Sequence, residues 1–210
     1  MKRIFIFDAD EVVLKREMYF SRRLARDFEI TEEEIMKFFK KEYKDCAIGK
    51  SDLRNVLKKY IENWGWSGSV QDLMKYWFEN EREINGAVVN EIKNLRRKGY
   101  TCCLATNNEI YRTQYLLNEV GLKDLFDYVF SSSEVGFLKS AGEFWKFVQE
   151  RIGVNDPGNI VVWDSDRKNI KKVNELGMKG FIFTDEETFL MDINEMLDPK
   201  KMEHDKRKIA

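Results

Sequence analysis

Histidine, proline and cysteine are scarce in this sequence, and neither sign of charge prevails. The one histidine, His204, lies in a charged C-terminal stretch and reads as incidental to any site. Cys46, Cys102 and Cys103 are an odd set without C-x-x-C spacing, which argues against a disulfide framework and against a zinc site. A reducing cytoplasm is the natural setting. Nothing near Cys102 or Cys103 in the chain would lower a thiol pKa, so both read as buried strand residues rather than nucleophiles. No apolar run approaches the roughly 18 residues of a membrane span, and Asp8 cuts the N-terminal run short of a signal-peptide core. The 36 basic and 37 acidic residues nearly cancel, so no long-range field favours nucleic acid or an anionic membrane. Pro157 and Pro199 are the only prolines, and neither repeats nor low-complexity stretches are visible.

What is present is core-forming material. With 210 residues, 43% of them hydrophobic, the chain can bury a sizeable core as one domain, or one domain with an insertion. Residues 3–7 are apolar without a polar face, the pattern of a strand covered on both sides in a parallel sheet. Similar runs recur at 100–105, 128–131, 160–163 and 180–183, with helical spacing between them and Gly99, Gly121 and Gly177 placed as helix stops. From residue 85 onward this alternation implies an α/β fold with a parallel sheet and helices on both faces. Residues 15–83 break the pattern: they are helical throughout, with Thr31 to Glu34 as a capping box and Ser69 to Asp72 as a weaker one. The chain therefore divides into a core of 1–14 plus 84–198, a helical insertion of 15–83, and a charged tail of 199–210.

Ligands of open parallel sheets bind beyond the carboxyl ends of the strands. Asp8 and Asp10 follow the first strand, Thr106, Asn107 and Asn108 the second, and Asp164, Ser165 and Asp166 the fourth, while Lys139 lies in the loop after the third. Carboxylates, a hydroxyl, an amide and an ammonium are the parts needed to hold a metal and a phosphate. Taken singly each has an ordinary explanation: a turn for Asp8 and Asp10, an N-cap for a helix beginning at Glu109 in Thr106 to Asn108, a cap in Asp164, a solvated side chain in Lys139.

Together they resemble the haloacid dehalogenase superfamily, in its phosphatase branch with a helical cap. Phe7-Asp8-Ala9-Asp10-Glu11-Val12-Val13 is similar to the first motif, Leu104 to Asn107 to the second, Ser132 to Lys139 to the third, and Val161 to Ile170 with Leu176-Gly177-Met178 to the fourth. The resemblance implies a three-layer, Rossmann-like parallel-sheet core with the cap inserted after the first strand. It implies Asp8 as nucleophile, Asp10 as general acid and base, and Thr106, Asn107 and Lys139 as phosphate-binding residues. It further implies magnesium held by Asp8, the carbonyl of Asp10, and Asp164. The role of Asp10 favours a carboxyl pKa above that of Asp8.

Three positions depart from the family pattern: Glu11 replaces a glycine, Ser165 replaces a second aspartate with Asp166 next to it, and Ser140 replaces a proline, which is expected to loosen the Lys139 loop. The expected activity is hydrolysis of a small phosphate monoester, of sugar-phosphate or nucleotide type, by a monomer or homodimer. A phosphomutase is disfavoured because the cap has no histidine, and dehalogenase or phosphonatase chemistry because Asp10 is present. A weakly catalytic binder of phosphorylated ligands or of a protein remains open through Ser165. Among the cap aromatics, Trp64 and Trp66 are the candidates for the substrate pocket, since both flank a glycine-containing loop.

Overall fold

The structure of the protein is a computed structural model that describes residues 3–197; His204 and the expected tail of 199–210 fall outside them. Five parallel strands, β1 (Ile4–Phe7), β2 (Thr101–Thr106), β3 (Tyr128–Ser131), β4 (Ile160–Asp164) and β5 (Lys179–Ile182), form one sheet in the order β3-β2-β1-β4-β5. Alternate residues of the central strands point to opposite faces. Phe5, Phe7, Cys102, Leu104, Val161 and Trp163 pack on one face, and Ile4, Ile6, Cys103, Ala105, Ile160 and Val162 on the other. That is why the strand runs lack a polar side. Trp163 stacks against Phe5, Phe7 and Phe181 at 6.0, 5.5 and 5.4 Å, and each such buried ring contributes on the order of 2–3 kcal/mol.

The helices are α1 (Phe20–Asp27), α2 (Glu32–Lys40), α3 (Glu42–Ala47), α4 (Leu53–Leu57) and α5 (Val70–Asn80), then α6 (Gly86–Arg97), α7 (Ile110–Asn118), α8 (Ser132–Val135), α9 (Gly142–Ile152), α10 (Arg167–Glu175) and α11 (Glu186–Leu197). Among the described residues none is long and apolar enough to cross a membrane. Ser69 closes a complete capping box with Asp72, whereas Thr31 accepts only the Glu34 amide, the reverse of the strengths expected. Helices α1 to α5 bury a hydrophobic cluster of their own around Phe20, Phe38, Trp64 and Trp77.

The chain enters and leaves this helical block side by side. The Lys15 N–H donates to the Glu83 carbonyl at 2.7 Å and the Asn85 N–H to the Val13 carbonyl at 2.8 Å. A second contact lies across the site, where the Ser132 hydroxyl donates to the Ala47 carbonyl at 2.5 Å. Beside it Gly49, at φ +73°, approaches so closely that a Cβ there would lie 2.4 Å from the Ser133 carbonyl oxygen. Any side chain at position 49 would push the block off the sheet edge.

Candidate active site

Register brings the carboxyl ends of β1, β2 and β4 to one level: Phe7 pairs with Leu104 on one side and with Trp163 on the other. Asp8, Thr106 and Asp164 therefore share one edge, and all three are buried. The Lys139 ammonium, 1% exposed, reaches in from the loop after β3 and stands 2.6 Å from Asp8 Oδ1 and 2.8 Å from Asp164 Oδ2, while donating to the Ala105 carbonyl at 3.1 Å. Asp8 Oδ1 also accepts the Ala9 N–H at 2.7 Å. Its Oδ2 has no partner among the described residues. Burial and the facing Asp164 carboxylate push the Asp8 carboxyl well above the usual range, against the pull of Lys139.

The Lys139 loop is held firmly despite its missing proline. Its N–H donates to Asn107 Oδ1 at 2.9 Å, and its carbonyl accepts the Trp145 indole N–H at 2.6 Å. Asn169, on α10, donates to both oxygens of Asp164 at 3.2 and 3.0 Å. Its own Oδ1 is buried without a partner. Two buried carboxylates thus share one ammonium, a donor set one positive charge short and suited to a hard divalent cation, which needs only one or two carboxylates plus water and substrate oxygens. Among the described residues, no group of three acidic, histidine or cysteine side chains converges.

Asp10 has the opposite surroundings. Its Oδ1 faces Arg16 at 3.1 Å and Arg112 at 3.3 Å, and its Oδ2 accepts the Asn108 amide at 2.8 Å. Burial raises its pKa, but Arg112, Arg16 and Asn108 more than reverse this and hold the carboxyl below the usual range. The order expected from its role, Asp10 above Asp8, is therefore inverted: the cations concentrate on Asp10. Arg112 is buried and also donates to the Phe78 carbonyl at 3.0 Å and to the Glu81 carbonyl. Arg16 pairs with Glu11 at 3.2 Å and Glu81 at 3.6 Å. Both arginines so tie Asp10 to the segments where the chain enters and leaves the helical block.

Several assignments change. The helix after β2 starts at Ile110, and its N-cap is Glu109, whose carboxylate accepts the Tyr111 and Arg112 N–H groups. Asn108 is thereby free to bridge Thr106 and Asp10, donating to the Thr106 hydroxyl oxygen at 2.7 Å. Asp166 does not stand in for the missing aspartate: its carboxylate caps α10 through the Lys168 N–H at 2.8 Å, while its own N–H donates to Asp164 at 2.8 Å. Burial pushes the thiols of Cys46 and Cys102 up to about 11 and about 12, in keeping with inert side chains.

Between Asp10 and the helical block lies a cavity of about 280 Å³, bordered by Tyr19, Met36, Phe39, Tyr43 and Trp77 together with Arg16 and Arg112. Trp64 and Trp66 do not line it. Trp64 is 2% exposed within the block's own cluster, against Phe20, Phe38 and Tyr60. Trp66 packs on Phe28 and Tyr76. Their neighbouring glycines mark a turn outside the site.

The sheet and the helical block match known structures over most of their length. A predicted HAD-like family hydrolase from Porphyromonas gingivalis superimposes with a TM-score of 0.78 at 20% identity, covering 94% of this chain and 98% of that one. A HAD family enzyme from Bacteroides thetaiotaomicron, solved with magnesium and inorganic phosphate, gives 0.70 at 19% identity over 88% and 95%. A HAD phosphatase from Thermococcus onnurineus gives 0.60 at 20% identity over 88% and 86%. In sequence, bifunctional epoxide hydrolase 2 of Rattus norvegicus is 26% identical over 119 residues, 55% of this chain but 21% of that protein. The chain thus spans about a fifth of the length of the curated relatives it matches. The profile of the haloacid dehalogenase-like hydrolases matches residues 2–171, and the chain belongs to that family.

Proposed function

We propose that this hydrolase is a magnesium-dependent phosphatase that cleaves a small phosphate monoester through an aspartyl phosphate on Asp8. The observation that carries the reading is the unengaged Asp8 Oδ2 at the end of the central strand, beside a buried ammonium and a second buried carboxylate. The magnesium and phosphate bound by the Bacteroides enzyme support it.

Asp8 Oδ2 attacks phosphorus as the bond to the leaving oxygen breaks, and Asp10 gives that oxygen its proton. An incoming phosphate dianion raises the proton affinity of Asp10, working against its two arginines. Asp10 then takes the proton of the water that attacks the aspartyl phosphate, releasing phosphate and restoring Asp8. Lys139, the Thr106 hydroxyl and the Asn107 amide neutralise charge on the phosphoryl oxygens. Asp8, the Asp10 carbonyl and Asp164 would hold magnesium, which would supply the charge that offsets repulsion between carboxylate and phosphate.

With p-nitrophenyl phosphate and magnesium, Asp8→Asn is expected to lower turnover by about 10³-fold or more, about 4 kcal/mol of barrier. Chelation is expected to do the same. Nitrophenol release that survives either one sinks the reading.

A further inference from the structure

We infer that the leaving group this site accepts is a single uncharged ring or a compact branched hydrocarbon, in place of a hexose, a nucleoside or a group bearing a second anion. The inference rests on the phosphatase reading above and names the substrate class of that site. Its ground is the cavity beside Asp10. The cavity's volume of about 280 Å³ lies at the lower edge of the about 300–1,000 Å³ usual for drug-sized ligands, which favours a compact leaving group over a larger one.

The wall supplied by the helical block is largely aromatic. Trp77 stacks on Phe20 with ring centroids 4.8 Å apart and meets Phe39 edge-on at 5.3 Å; Tyr43 packs on both Phe39 and Trp77 at 5.3 and 5.6 Å. Such walls favour a flat or apolar occupant through buried area and ring-to-ring contact.

Most polar groups of the lining are committed to one another, with the buried Arg16 Nε an exception. The terminal nitrogens of Arg16 face Asp10, Glu11 and Glu81, and Arg112 holds two main-chain carbonyls and Asp10. Glu81 accepts the Phe20 N–H at 2.8 Å, the Tyr19 hydroxyl donates to Glu11 at 2.6 Å, and the Ser21 hydroxyl to Glu32 at 2.9 Å. Two guanidiniums against three carboxylates leave no positive charge for a second phosphate or a carboxylate, and a hexose would lose water from several hydroxyls for want of partners. The Tyr43 hydroxyl, unpaired among the described residues, offers one hydrogen bond, enough to orient a ring without selecting a polyol.

The test is equilibrium binding of two inert phosphonates to the full chain with magnesium, read by tryptophan fluorescence, since Trp77 lines the cavity. Benzylphosphonate is expected to bind at least tenfold more tightly than methylphosphonate, and Phe39→Leu and Met36→Trp, one loosening and one filling the cavity, are each expected to reduce that ratio by threefold or more. Equal affinity for the two phosphonates overturns the inference, whether or not any ester is hydrolysed. In turnover, benzyl phosphate is expected to exceed glucose 6-phosphate and adenosine monophosphate in kcat/KM by tenfold or more; parity, or preference for either of the latter, also overturns it. Selective phosphonate binding without hydrolysis of any ester, acetyl phosphate included, would uphold the pocket's chemistry and defeat the phosphatase reading instead.

Discussion

Asp8 and Asp10 stand two residues apart, yet their carboxylates have opposite neighbours. Asp8 shares one ammonium with Asp164, and burial raises its pKa; Asp10 alone faces two guanidiniums and an amide, and its pKa is lowered. The first arrangement is made by the ends of strands and lacks positive charge. The second is made by side chains that anchor the helical block and has positive charge to hand. On the proposed reading, one side receives a cation and a phosphoryl group, and the other keeps a proton carrier in place where the block joins the core.

Removing the cation from each side is the most direct way to break this comparison. Lys139→Met leaves Asp8 and Asp164 buried together without compensation, and the expected loss is about 3–5 kcal/mol of stability. Thermal unfolding with and without millimolar magnesium checks it: the deficit should shrink when the dication is present, and a deficit indifferent to magnesium would mean that the two carboxylates do not form a cation site. Arg112→Met removes the partner of Asp10 and of the Phe78 and Glu81 carbonyls, for an expected cost of about 3 kcal/mol. Magnesium should not restore this loss, because none of the three orphaned groups faces the Asp8 side. Equal rescue of both variants would erase the distinction between the two halves.

The Asp8 half was legible in the sequence because strand ends at a parallel-sheet edge converge whatever the loops do: Asp8, Thr106 and Asp164 each close an apolar run, and Lys139 lies in the loop after the third. The Asp10 half was not. Arg16 and Arg112 lie in helical or linker sequence where a lone arginine looks solvated, and they meet Asp10 only because α7 follows β2, the neighbour of β1, and the chain leaves the helical block beside its entry. Asn108 was hidden for a related reason: as a polar residue before a helix it reads as an N-cap, and Glu109 took that role. That Trp77, and neither Trp64 nor Trp66, borders the cavity beside Asp10 was not readable, because helix phase across several short helices cannot be propagated through their turns.

Glu109 sharpens the account of the second half. Burial pushes its carboxyl up to about 7, against the pull of the Tyr111 and Arg112 N–H groups it caps and of the Arg112 charge. The folded pKa lies above the ordinary 4.5, so the stability it contributes is present below about pH 4.5 and is lost as pH rises through about 7, by about 3 kcal/mol in all. Urea unfolding between pH 5 and 8 should show that decline in the wild type, flattened in Glu109→Gln. A profile unchanged by the substitution would assign the decline to another group.

The smallest effect concerns Glu11, the residue in the family's glycine position. It keeps the left-handed conformation that a glycine would supply, at φ +64°, which costs a side-chain-bearing residue about 1 kcal/mol. In return its carboxylate receives Arg16 and the Tyr19 hydroxyl, a largely surface arrangement worth under about 1 kcal/mol. Glu11→Gly gives up both the strain and the bonds and is expected to fall within about 0.5 kcal/mol of the wild type. Glu11→Ala keeps the strain and loses the bonds, so it should be less stable than the glycine variant by about 1 kcal/mol. Both substitutions release Arg16 toward Asp10 to the same extent. The difference between them in chemical denaturation therefore isolates the backbone, and two variants of equal stability would show that the turn after Asp10 is not held left-handed.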